Sequence, residues 1–91
     1  MREYLLDGRK MDSRQESHQY LQKTLGFPDH YGGNLDALMD CLREMRDTKI
    51  TLRYSRAMLN SLGAYGRAML QVFQDAQIEG NQFIFITKEQ G

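Results

Sequence analysis

Three short apolar segments, set far apart in the chain, constrain the fold more than any other feature. Tyr4-Leu5-Leu6 stops at the turn signal Asp7-Gly8, and Ile50, Leu52 and Tyr54 alternate with Thr51 and Arg53. Phe83-Ile84-Phe85-Ile86 is apolar on both faces of an extended chain. Helical signals separate all three, so hairpins cannot join them, and a parallel sheet with right-handed crossovers is expected. The alternation from Ile50 marks a strand with one buried face. The continuous run at Phe83 makes that segment the best candidate for the central strand.

The helices are legible from caps and period. Ser13-Arg14-Gln15-Glu16 fits a capping box, Tyr20, Leu21 and Leu25 form an apolar edge, and Gly26 suits a C-cap, which sets a helix over Arg14 to Leu25. Asn34 is a good N-cap for a second helix to about Arg46, in which Leu35, Leu38, Met39, Leu42 and Met45 recur at helical spacing. Met58, Leu59 and Leu62 ahead of Gly63 suggest a short third helix. Ala68, Met69, Val72, Phe73 and Ala76 give a fourth, closed near Gly80. The chain has 91 residues and no repeat, linker or low-complexity stretch. One domain over 1–91 is expected, of the α/β class, with a three-stranded parallel sheet packed by about four helices.

The formal charge of zero conceals a segregation. Thr24 to Thr48 carries a net −3, Ala68 to Thr87 a net −2, and the rest of the chain +5. A nucleic-acid binder would gather Lys and Arg with aromatics on one face, whereas here the bases are scattered and the glycine loop is acidic. The expected partner is therefore basic and is not nucleic acid. The single cysteine, Cys41, allows no internal disulfide and lies beside an apolar helix stripe, so a buried, reduced thiol in a reducing compartment is expected. The apolar run near Met1 is too short for a signal peptide, and no segment nears the roughly 20 apolar residues of a membrane span. A cytoplasmic location without membrane contact is the expectation.

Chemistry concentrates in Phe27-Pro28-Asp29-His30-Tyr31-Gly32-Gly33-Asn34-Leu35-Asp36, which joins a glycine loop to a helix start. Asp36 and Asp40 follow at i and i+4, where like charges cost a few tenths of a kcal/mol in an isolated helix, so local stability does not explain them. They read as part of a binding surface. A phosphate cradle at Gly32-Gly33 is disfavoured, because no strand leads directly into the loop and Asp36 already occupies the positive end of the helix. The two glycines instead allow a tight reversal and a close backbone approach to a partner. His18, expected at the surface or core edge of the first helix, joins His30, Cys41 and the carboxylates in no nucleophile elbow or zinc-pair spacing. No catalytic residue, cofactor or metal is expected. His30 could bond a partner.

The segment FPDHYGGNLDALMDCL, with LQVFQDAQIEG from Leu70 to Gly80, resembles the barstar family of intracellular inhibitors of secreted bacterial ribonucleases. The likeness spans the chain. It implies the fold already argued, a monomer when free, and 1:1 inhibition of a small basic ribonuclease. In that family a helix-borne carboxylate enters a phosphate-binding active site as a phosphate surrogate. The resemblance places partner contact at His30, Tyr31, Gly32, Asn34, Asp36, Met39, Asp40 and Asp75, with Asp40 decisive. It also exposes departures: His30 stands for a tyrosine of the best-known member, Met39 and Met45 for tryptophans, and Asp75 for a glutamate. The alternative is a barstar-like interaction module with a non-nuclease partner.

Overall fold

Side-chain caps decide where the 3-10 turn and the first two helices begin. The structure, a computed structural model, describes residues 1–79 and 82–89, so the expected helix stop at Gly80 lies outside the described residues. Strand β1 (Arg2–Asp7) ends where the Asp7 carboxylate accepts the Arg9 N–H at 2.9 Å, opening a single 3-10 turn, Gly8–Lys10. A Cβ on Gly8 would lie 2.2 Å from the Tyr54 carbonyl oxygen, so no other residue fits there without movement. Helix α1 (Arg14–Leu25) opens on Ser13, whose hydroxyl accepts the Glu16 N–H at 3.1 Å, and closes on Gly26, as expected. Helix α2 (Leu35–Glu44) opens on Asn34, whose side-chain oxygen accepts the Ala37 N–H at 2.8 Å. It stops short of Arg46 because Met45 is already extended, its N–H donating to the Leu42 carbonyl at 3.1 Å.

Strand β2 (Thr48–Arg53) leads into α3 (Ser55–Leu62), and after Gly63 comes α4 (Ala64–Glu79). The fourth helix starts a turn earlier than its apolar period suggests. Arg67 N–H donates to the Gly63 carbonyl at 3.1 Å, and Gly66 is small enough to seat beneath Met58, whose sulfur would stand 2.8 Å from an added Cβ. Strand β3 (Phe83–Lys88) completes a three-stranded parallel sheet of order β1-β2-β3.

The central strand is therefore β2, which corrects the reading of Phe83-Ile84-Phe85-Ile86 as central. Only one apolar set of β3 serves the core: Phe83 and Phe85 are buried, while Ile84 is 38% exposed. On β2, Thr51 is buried along with Ile50 and Leu52, because strands flank it on both sides. Tyr4, Leu6, Ile50, Leu52, Phe83 and Phe85 share the inner face and pack against Leu21, Leu38, Leu42, Met58, Met69 and Phe73 of the four helices. Phe73 stacks on Phe85 with ring centres 4.6 Å apart. The opposite face carries Leu5, Thr51 and Ile86 in register and Ile84 beside Lys49, and Leu5 there is 61% exposed. Parallel sheets usually have both faces covered. Here the two crossovers advance in the same direction across the sheet, and with the right hand usual for such connections their helices fall on one side.

Candidate functional site

The loop between α1 and α2 is held from three directions. Phe27 N–H donates to the Gln22 carbonyl at 3.0 Å, the Gln22 amide donates to the Pro28 carbonyl at 2.9 Å, and Tyr31 N–H closes a turn onto the same oxygen at 2.9 Å. Phe27 and Tyr31 pack ring against ring at 4.9 Å. Gly33 then takes φ +68°, a left-handed conformation that costs glycine little, and this aims the chain into the extended Asn34 cap.

His18 fixes the far end of Tyr31. Its Nδ1 lies 2.7 Å from the Tyr31 hydroxyl and its Nε2 lies 2.6 Å from the Tyr65 hydroxyl, so one imidazole ties α1 to the loop and to α4. A neutral imidazole has one N–H donor and one acceptor nitrogen, so one tyrosine accepts and the other donates. Burial to 3% exposure lowers the His18 pKa below the usual histidine range. Burial likewise holds both tyrosines protonated, raising Tyr31 far above its ordinary value and Tyr65 less, the latter offset by the Arg14 charge. The structure thus corrects the surface or core-edge reading of His18. A signal was available: His18 precedes Leu21 by three and Leu25 by seven residues, on the same buried stripe of α1.

Tyr31 and Gly32 form a ridge between two depressions. On one side a hollow of about 220 Å³ is lined by Pro28, His30, Ala37, Asp40, Cys41 and Glu44. On the other a groove of about 730 Å³ runs between α1 and α2, with Gly33, Asn34 and Asp36 on the loop and α2 side and Tyr65 contributed by α4. Asp36 and Asp40, though one helical turn apart, therefore serve different depressions. Of the other residues expected at the site, Met39 is half-buried against the core and lines neither depression. Asp75 on α4 also lines neither, and its carboxylate accepts the Gln71 amide at 2.9 Å.

The hollow is electronegative. Cys41, half-buried and not fully buried as expected, has its thiol pKa raised by burial first and then by the charges of Glu44 and Asp40. The Asp40 side chain is 78% exposed, and its one ion-pair partner among the described residues is Arg43 at 3.7 Å, which leans instead to Glu79 at 3.2 Å. An exposed pair of that kind contributes little, so Asp40 remains available to a partner. Among the described residues no group of three or more His, Cys, Asp and Glu side chains is placed to hold a metal ion, and no helix is long and apolar enough to cross a membrane.

A family model described as Barstar (barnase inhibitor) matches residues 1–88. The chain belongs to the barstar family. A Bacillus subtilis (strain 168) protein named "Putative ribonuclease inhibitor YrdF" is 41% identical to it over 81 residues, which cover 87% of this chain and 89% of that protein. In this barstar-family chain the loop and α2 bring His30, Tyr31, Gly32 and Asp40 to one hollow and Tyr31, Gly32, Asn34 and Asp36 to the groove behind it.

Proposed function

We propose that this protein inhibits a small, basic, extracellular bacterial ribonuclease by occupying its active site one to one, and that it catalyses nothing. Such an active site must hold phosphate and is rimmed with cationic side chains, which charge-assisted bonds to a carboxylate satisfy in place of substrate. The observation that carries the reading is Asp40: an exposed carboxylate on a capped helix, beside Glu44 at the rim of a hollow of about 220 Å³. Family membership supports the nuclease as partner. On this reading the free protein is a cytoplasmic monomer that protects the producing cell, and it needs neither metal nor cofactor. The test is titration into a panel of small secreted bacterial ribonucleases. One equivalent should abolish RNA cleavage by a cognate enzyme without slow recovery, and activity surviving a large excess across the panel rejects the proposal.

A further inference from the structure

We infer that the partner contact continues over α1, with an extended, uncharged stretch of the nuclease chain lying in the 730 Å³ groove against Gln15 and Gln19. This rests on the inhibitor reading above and extends the interface to a helix that neither the acidic loop nor the charge pattern singles out. Continuity is the first support, because Tyr31 and Gly32 line the groove and the Asp40 hollow alike, so a protein seated on Asp40 lies at the mouth of the groove. Size is the second. The hollow suits a single side chain, whereas the groove is more than three times larger and falls in the range of sites that enclose a whole ligand or chain segment.

The lining selects the chemistry. Gln15 and Gln19 stand one turn apart on α1, flanking the buried His18, and neither side-chain amide makes a hydrogen bond to another described residue. Each offers a donor and an acceptor, which is what the alternating N–H and C=O groups of an extended backbone require. Arg14, seated over the Tyr65 ring at 4.3 Å, and Asp36 in the first turn of α2 bring opposite charges to the same groove, so it favours neither a polyanion nor a polycation. The Tyr31 and Tyr65 hydroxyls are engaged by His18 and so are not among the bonds offered to the occupant. A second copy of this chain is the poorer occupant, since a groove edged with hydrated amides lacks the apolar core of a homodimer interface.

The experiment uses whichever nuclease of the panel the wild-type protein inhibits, and compares Gln15→Ala/Gln19→Ala with Asp40→Ala at low and high salt. The double variant should lose about tenfold or more in affinity, mainly through faster dissociation, and keep that loss at high salt because neutral bonds are not screened. The Asp40→Ala loss should shrink with salt. A genetically encoded photoreactive amino acid in place of Gln19, with Cys41 unchanged, should cross-link to the nuclease. Affinity within twofold of wild type for the double variant, or cross-linking only to a second copy of the inhibitor, overturns the inference while leaving the inhibitor reading intact. Failure of the wild-type protein to bind any nuclease overturns that reading, and the inference with it.

Discussion

Two side chains decide most at the residue scale. Asp40 carries an exposed carboxylate on the hollow at the position the family resemblance marks as decisive, so Asp40→Ala should weaken nuclease binding by more than about 2 kcal/mol and by more than Asp36→Ala or Asp75→Ala. Isothermal titration of the three variants checks this, and equal losses would remove Asp40 from its special place. His18 governs pH dependence. Burial lowers its folded-state pKa, whereas in the unfolded chain it titrates near 6.5, so between those values the unfolded state binds more protons. Stability should therefore fall as pH drops through about 6.5 and level off once folded His18 also takes its proton. Urea midpoints between pH 7.5 and 5 read this directly. His18→Gln, which keeps a donor and an acceptor, should flatten that slope, and an unchanged slope in the variant would assign it elsewhere. Asp7, whose carboxyl is held down mainly by its hydrogen bond with Arg9, acts in a separate and more acid window, its contribution being lost only as pH falls from about 3.8.

At the scale of elements, caps and close approaches set the costs. Asn34→Ala removes the oxygen that holds the Ala37 N–H, which should cost about 1 kcal/mol and lower the melting temperature by a few degrees. Because Asp36 lies in that first turn, nuclease affinity should fall with it. Gly8→Ala places a methyl against the Tyr54 carbonyl and should cost more, about 1–3 kcal/mol or beyond, measured in the same thermal melts. Much of this architecture is legible in the sequence. Ser13 and Gly26 bracket α1, Asn34 starts α2, and three strands too far apart for hairpins imply a parallel sheet. Other features are not. Residues Phe83 to Ile86 look fully buried because apolar side chains alternate with apolar side chains, and no local pattern tells an open outer face from a covered one. The two depressions are equally hidden, since helical spacing pairs Asp36 with Asp40 and only the packed position of Tyr31, anchored through His18, divides them.

For the whole molecule, charge and layering act together. The two acidic segments carry −5 against +5 elsewhere, so a basic nuclease approaching α2 meets attraction whose long-range part is partly cancelled. Association should slow with added salt, yet less steeply than for a strongly acidic relative on a similar enzyme. Stopped-flow rates across a salt series measure this, and a rate that rises with salt would point to another binding surface. Layering contributes differently. No strand residue lines either depression, and Leu5 and Ile84 stand on the sheet face away from the helices. Leu5→Lys should therefore change unfolding free energy by no more than about 0.5 kcal/mol and leave nuclease binding untouched. The molecule in effect has a back, and that back is a handle: tethered to a sensor surface, a bead or a second protein through residue 5, it would present its loop and α2 outward in one defined orientation, as a ready-made capture reagent.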